Sequence, residues 1–479
     1  MIARFPAGAR LPPAALLLGG ALLAGAAAGA FVSVINPLYA LLAALAVGIV
    51  AVACALPTGR FWLLAGVITL LPFAAVPRLG IQPTLLDGVL MLVLGVALLG
   101  FLTRAQRGIG TPLDLPIVVY LALCCVSFVF GTAYGLTSDT AKYFLRVLAA
   151  ILLFFALTNG LTTRRRLASL VDALVLGSFG SGLLAVLLYL AGQGTAMRVL
   201  SALGPLGYPT GADTLRFIAS TPIWRATSTS VDPNIFGGLL MIGMLLLLGR
   251  LLARFSRKSW LMGGAMLAVM GWALLLSYSR GAWVGFVAGV VFLAVMRYRK
   301  ALPVVVVAGL IAVVALGNTD FGKHLVSGFL VEDKASAMRI GEYKDALTFI
   351  SEYPFFGVGF GTTPNGASAI TPEADIYVGV SNIYLLMALE IGLVGAAGFV
   401  VVLGTLGIWT ARAYRRADAE GKSWLAAGSA ALFAAGVAGI ADHYFFRFPH
   451  MIALFWTLVA ILAVSARLAV PNERAILPR

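Results

Sequence analysis

Residues 260–300 read "WLMGGAMLAVMGWALLLSYSRGAWVGFVAGVVFLAVMRYRK". Two apolar runs flank a short polar break, Ser277 to Arg280, and a basic cluster closes the second run. About 20 apolar residues cross a hydrocarbon core of about 30 Å. Lipid offers the backbone no hydrogen-bond partner, so runs of this kind must be helices. The stretch is a helical hairpin, with its turn at one membrane face and its basic end at the other. Arg280, set between two spans, is the residue that needs an explanation. Alone, an arginine at a span end is as readily a snorkelling anchor as a ligand-binding group.

The pattern extends over the whole chain of 479 residues, which is 61% hydrophobic and 11% charged. Soluble domains are about 25% charged. Fourteen apolar runs are candidate spans: 14–35, 37–56, 62–77, 83–103, 115–132, 142–160, 168–191, 234–253, 259–278, 281–297, 301–317, 383–409, 424–441 and 450–468. The expected fold class is an all-α polytopic membrane protein of about 14 transmembrane helices. The alternating segments of an outer-membrane barrel are absent. The first run lacks a signal-peptide cleavage pattern and reads as a retained span.

The net charge of +15 invites a nucleic-acid reading. The cations instead sit in short loops between spans, where the positive-inside rule accounts for them. With Arg4 and Arg10 in the cytoplasm and strict alternation, the basic loops at 103–107, 164–166, 250–258, 297–300 and 412–422 all fall on the cytoplasmic side. Both termini are then cytoplasmic. Cys54, Cys124 and Cys125 lie in apolar runs, with no disulfide or metal spacing. No metal and no cofactor are expected.

Five segments follow: an N-terminal transmembrane bundle, 1–191; an outer loop, 192–233; helices with the Ser-Arg-Gly turn, 234–317; a larger outer loop, 318–382; and C-terminal helices with a cytoplasmic tail, 383–479. Loops this long generally carry function. Within the second, Met338, Leu347 and Ile350 recur at helical spacing. That predicts a helix over 336–354, capped by Ser336 and ended by Pro354 and the glycines of "GVGFG", 357–361. This glycine run reads as a flexible turn, because it follows no strand and lacks the Gly-Lys-Ser/Thr of a nucleotide loop. His324 reads as plain loop.

This topology brings unusual residues to one face. They are Lys142 and Arg146 at the sixth span, Arg225 before the eighth, Arg280 in the turn and Arg339 in the loop helix. Ser381 and Asn382 open the twelfth span, and Asp442, His443, Arg447 and His450 lie between the last two. Loop arginines and histidines are solvated polar groups by default. Glu390 is harder to dismiss, since a carboxylate within a span costs about 2.5–3.5 kcal/mol and requires a partner or a role. Arginine forks match phosphate oxygens and stay charged when desolvated. Several arginines at a membrane face suit a lipid-linked pyrophosphate and would stabilise charge on a departing one.

The motifs are, in order, Arg225 then "DPNIFGG" (232–238), "SYSRGAWVG" (277–285), "RIGEYKDALTFISEYPFFGVGFG" (339–361), "NIYLLMALEIGLVG" (382–395) and "DHYFFRFPHMIALFW" (442–456). In content and order they resemble the bacterial O-antigen ligase and O-antigen polymerase superfamily. The resemblance covers about 220–460; the N-terminal half matches only in hydropathy. It implies a metal-independent glycosyltransferase of the bacterial inner membrane with its active site facing the periplasm. The donor would be an undecaprenyl-pyrophosphate-linked oligosaccharide, and the acceptor a second glycan or lipid A core. Membrane lipid and a chain-length regulator or flippase would be partners, and nucleic acid would not.

Arg225, Arg280 and Arg339 fall on the family's arginine positions, implied to hold pyrophosphate and donor sugar. Arg146, Lys142, Ser381, Asn382 and Arg447 join them as substrate-binding candidates. Family members place His-Asn where this chain has Ser381-Asn382, and serine is no base near neutral pH. His443, His450, Glu390 or Asp442 could take that role, or a good leaving group could make a strong base unnecessary. Fourteen spans lean toward a repeat-unit polymerase over a ligase acting on lipid A core or a protein hydroxyl. A transporter of lipid-linked sugar is the remaining alternative; it predicts charges lining a path through the spans.

Overall fold

The computed structural model describes residues 48–53, 55–56, 58–75, 83–103, 108–131, 138–218, 221–253, 256–330, 334–360 and 380–469. The expected span 14–35, most of 37–56, the loop residues 104–107 and the tail beyond 469 lie outside the described residues.

The described chain is almost wholly helical. Its helices are α1 (Gly59–Leu70), α2 (Leu85–Leu102), α3 (Asp114–Gly131), α4 (Ser138–Gly160), α5 (Arg164–Ala191), α6 (Gln193–Ser201), α7 (Pro233–Ala253) and α8 (Arg257–Leu276). There follow α9 (Arg280–Arg297), α10 (Leu302–Leu316), α11 (Asp320–Phe329), α12 (Lys334–Glu352), α13 (Ile383–Arg416), α14 (Ala419–Ala438), α15 (Tyr444–Arg447) and α16 (Pro449–Ala469). Eight of them, α2, α4, α5, α7, α8, α9, α13 and α16, are long and apolar enough to cross a membrane. Helices α1, α3, α10 and α14 stand where spans were expected but are shorter or less apolar than these eight. The all-α polytopic class is thus observed, while the count of fourteen rests on the sequence.

Local chemistry sets the helix starts. Thr84 and Asp87 form a reciprocal capping box at α2. Thr163, Ser256, Thr319 and Asp418 each accept a backbone N–H at the head of α5, α8, α11 and α14. Helices α7 and α16 are buried along nearly their whole length and form the centre. Helices α5, α8, α9 and α14 pack on α7, and α4, α13 and α14 on α16. Small residues let them approach: Gly285 and Gly289 of α9 lie against Ala434 and Ala438 of α14, and Gly249 of α7 against Ala427.

The segment 192–233 holds α6 and a short hairpin, β1 (Arg216–Phe217) antiparallel to β2 (Trp224–Arg225). One expectation needs correction. The loop helix starts at Lys334 rather than at a Ser336 cap, and the Ser336 hydroxyl donates to the Gly328 carbonyl at 3.3 Å. Of its apolar positions, Ile350 packs against the core, while Met338 and Leu347 are exposed and Ala346 is buried.

The glycine run is no flexible turn. Helix α13 breaks at Gly392, where φ is 70° and ψ 176°. Residues 354–359 insert into the break. Val358 N donates to Leu389 O (2.9 Å) and Gly359 N to Glu390 O (3.1 Å), while Leu393 N donates to Pro354 O (2.8 Å) and Val394 N to Phe355 O (3.3 Å). The backbone groups freed by the break are thereby satisfied, the condition for irregular backbone within a membrane bundle. Gly392 and Gly357 both have positive φ, and a Cβ on either would overlap the opposing backbone. Gly361 lies outside the described residues.

Candidate functional site

One end of the bundle gathers the motifs, and each resolves into a physical task. In "DPNIFGG" the Asp232 carboxylate accepts the Asn234 and Ile235 N–H groups (2.7 and 3.1 Å), capping α7, and Pro233 opens the helix. Gly237 lets Ser279 and Ala282 approach, and Gly238 lies against the Tyr444 ring. In "SYSRGAWVG" the Ser277 hydroxyl donates to Leu274 O (2.7 Å), and Trp283 Nε1 donates to the same carbonyl (2.7 Å). Tyr278 is held at φ 50°, a conformation few non-glycine residues adopt. Ser228 and Val231, in the adjoining segment, share this feature.

Arg225 is the latch of this turn. Its Nε donates to Ser277 O (2.8 Å), and its Nη2 to Tyr278 O (3.2 Å) and Asn234 Oδ1 (2.6 Å). Ala226 N donates to Leu276 O at 2.9 Å, so the two segments run side by side. Burial lowers the Arg225 pKa to about 10, which still leaves it charged. These bonds all go to protein acceptors, so it shapes the site more than it offers a free fork.

Arg280 begins α9 and donates through Nη1 to His324 O (3.3 Å). Its guanidinium lies so close to Gly328 that a Cβ there would overlap it. His324 is therefore not plain loop: it lies in α11, with Nε2 3.2 Å from Tyr278 O and its ring edge-on to Tyr278. Helix α11 was not expected from the sequence; its signals are Thr319 before Asp320, a cap followed by an acidic first turn, and Phe321, Leu325 and Phe329 at helical spacing.

Arg339, from α12, places Nη2 3.9 Å from Asp442 Oδ2. The other Asp442 oxygen accepts the His443 N–H at 2.8 Å. Burial pushes the Asp442 carboxyl up, against the opposing effects of Arg339 and Arg225. His443 is 8% exposed, with Nδ1 3.8 Å from Asp442 Oδ1, and among the described residues neither ring nitrogen has a hydrogen-bond partner. Burial, followed by the charge of Arg447, lowers its pKa to about 4, so the ring is neutral.

Ser381 and Asn382 adjoin this group. Ser381 N donates to Glu342 Oε2 (2.9 Å), and Tyr343 OH donates to Ser381 O (3.0 Å) and Ile440 O (3.2 Å). Asn382 caps α13 through Oδ1 and ties Nδ2 to Ile440 O (3.0 Å). It does structural work at the site's rim. Glu342 and Tyr343, part of "GEYKD", are site residues the sequence reading passed over as ordinary helix.

Of the remaining candidates, Arg447 lies near His443, its N–H donating to the His443 carbonyl at 3.0 Å. Arg146 forms a two-pronged pair with Asp87 (2.8–3.1 Å), and Lys142 pairs with Asp139 (3.0 Å). Glu390, 1% exposed, has the partner its position demanded: Arg447 Nη1 lies 3.1 Å from Oε1. Arg447 also stacks over the Tyr143 ring, 5.1 Å from its centroid. His450 is 2% exposed and sits edge-on to Phe73 at 4.8 Å, in an aromatic setting at the head of α16. Asp172 pairs with Arg250 at 2.8 Å. Asp87, Asp172 and Glu390 thus each meet an arginine.

Fold and site together define a multi-pass helical membrane protein with an arginine- and carboxylate-rich site at one end of its bundle. Residues 264–400 match the family model for O-antigen ligase. That match supports the O-antigen ligase and polymerase superfamily. The matched stretch includes Arg280, Arg339, Ser381, Asn382 and the α13 break; Arg225, Asp442 and His443 lie outside it. No curated protein matches the chain.

Proposed function

We propose that the protein is a glycosyltransferase of the bacterial inner membrane that polymerises undecaprenyl-pyrophosphate-linked oligosaccharide repeats at its periplasmic face. The observation that supports the reading is that Arg225 and Arg339, from distant segments, lie beside Asp442, with Arg280 near Arg225. Arg280 and Arg339 grip the donor pyrophosphate, while Arg225 fixes the turn from which Arg280 projects. The acceptor hydroxyl attacks the anomeric carbon. The bond from that carbon to the pyrophosphate oxygen breaks, and the lipid pyrophosphate leaves with the electron pair, its charge stabilised by the arginines. His443 takes the hydroxyl proton. Its neutral ring is a weak base in the empty site, and pyrophosphate bound among the arginines offsets the positive field that helps depress it.

Transfer to lipid A core or a protein hydroxyl would use the same donor site and is the alternative. Transport is less well supported, because Asp87, Asp172 and Glu390 are each committed to an arginine. The test is purified protein with a defined undecaprenyl pyrophosphate oligosaccharide and no other acceptor, products read by mass spectrometry. A ladder of one-repeat increments on lipid is expected. Transfer only after lipid A core or an acceptor protein is added would make it a ligase; no product with any acceptor would overturn the enzyme reading.

A further inference from the structure

Helix α12 carries Arg339 to the site, and the residues that follow at intervals of three and four share its face: Glu342, Tyr343, Ala346 and Ile350. Ala346 is buried and Ile350 packs against the core, so this stripe is turned toward the bundle. Tyr343 ties together the two segments that border the site, its hydroxyl bridging Ser381 O (3.0 Å) and Ile440 O (3.2 Å). Glu342 accepts the Ser381 N–H at 2.9 Å through Oε2. Its charge is also felt at His443: burial and then Arg447 lower the pKa of that ring, and Glu342 leads the groups that oppose them.

An anionic group thus stands one helical turn from an arginine assigned to pyrophosphate. Like charges repel, so this carboxylate does nothing for the donor's head. The other carboxyls of the site are not equivalent to it. Asp442 is buried against the His443 N–H and Arg339, and Asp232 caps α7. Glu342 is half-buried at the rim, fixed through one oxygen. A carboxylate held in place near a neutral imidazole is complementary to an uncharged polyol, whose hydroxyls it accepts in charge-assisted hydrogen bonds. We propose that Glu342 forms the acceptor subsite, binding a hydroxyl of the acceptor sugar next to the one that reacts at His443. This subsite rests on the transferase reading and adds the group that holds the acceptor, where that reading provides only for the donor and the proton.

The test uses the full chain in nanodiscs, an undecaprenyl pyrophosphate oligosaccharide as donor, and the acceptor glycan that the unmodified protein extends. The acceptor is offered intact and with each hydroxyl flanking the reacting one replaced by hydrogen. Glu342→Gln keeps an oxygen for the Ser381 N–H and removes the charge. It should raise KM for the intact acceptor by about 10- to 100-fold, the scale of a hydrogen bond to a charged group. Binding of sugar-free undecaprenyl pyrophosphate should stay as it is or tighten, whereas Arg339→Ala should weaken it. One deoxy acceptor should show the same loss with the unmodified protein and no further loss with Glu342→Gln, the non-additivity of two partners in one contact. An unchanged KM, additive losses, or weaker pyrophosphate binding by Glu342→Gln overturns the subsite, the last because it marks a structural role at the rim. If Glu342→Gln does not assemble, Glu342→Asp with the same deoxy series decides by the same non-additivity. Transfer to a protein hydroxyl alone also overturns the subsite, since no flanking sugar hydroxyl exists there. Failure of the unmodified protein to transfer to any acceptor overturns the transferase reading; transfer to a glycan that is indifferent to Glu342→Gln overturns only the subsite.

Discussion

The guanidinium of Arg225 holds the Ser277 carbonyl at 2.8 Å from Nε, and the next carbonyl, that of Tyr278, at 3.2 Å from Nη2. One side chain thus ties the segment before α7 to the turn that aims Arg280. Lysine cannot reproduce a planar fork of donors. Arg225→Lys should lower turnover by about 10- to 100-fold, the worth of charged hydrogen bonds of about 1.5–3 kcal/mol, in steady-state kinetics with undecaprenyl donor. Unchanged turnover would show that the latch is dispensable.

Arg280→Ala and Arg339→Ala should abolish glycan extension while the protein still inserts. Gel profiles of the glycan, read beside membrane levels of the protein, check this. If both variants keep normal profiles, the pyrophosphate grip is wrongly placed.

The break in α13 makes a stability prediction. Gly392→Ala puts a Cβ into the Phe355 carbonyl and forces a non-glycine residue to a φ of 70°. The backbone strain alone is of order 1–3 kcal/mol, before the overlap is counted. The yield of monodisperse protein in detergent should collapse. Gly404→Ala, on the same helix with open space around it, should be neutral or stabilising by up to ~1 kcal/mol.

Glu390 and Arg447 should behave as a unit. Arg447→Met leaves a buried carboxylate uncompensated, at a cost of about 3–5 kcal/mol. Adding Glu390→Gln should recover most of that loss. Thermal midpoints of the four proteins in the cycle measure the coupling, and simple additivity would mean the 3.1 Å pair is energetically idle.

Acid should expose His443. Its folded pKa of about 4 lies below the ordinary 6.5, so the unfolded ring takes a proton first. Its contribution to stability is intact above about 6.5 and is lost progressively as pH falls toward 4, by at most about 3 kcal/mol. Asp442 acts in the opposite sense, since burial raises its carboxyl pKa and acid relieves that strain. The comparison with His443→Gln isolates the histidine: the variant should lose less midpoint between pH 7 and pH 4 than the parent, and parallel losses would mean the ring is not held neutral.

What could be read from the sequence was what hydropathy and local chemistry encode. The turn at 277–280 and the α12 helix followed from apolar runs and helical spacing. The pairings did not. Arg146 finds Asp87 from 59 residues away and Arg447 finds Glu390 from 57, and no local pattern specifies such partners. The break at Gly392 was hidden for a related reason. "LEIGLVG" has the composition of an ordinary span, and the segment that splits it lies earlier in the chain behind "GVGFG", where glycines suggested looseness.

That splice has a bearing on how the molecule is made. Residues 354–359 leave the ribosome before either half of α13, so the helix enters the bilayer incomplete. Leu389 O, Leu393 N and Val394 N find their partners in the earlier segment, while Glu390 O also accepts the Ser127 hydroxyl at 2.6 Å; unpaired groups of this kind in hydrocarbon cost several kcal/mol each. Sealing of this helix thus depends on a segment synthesised before it. The order of synthesis becomes an order of assembly, in which Arg339, carried by the same segment, arrives at the site as the helix is sealed.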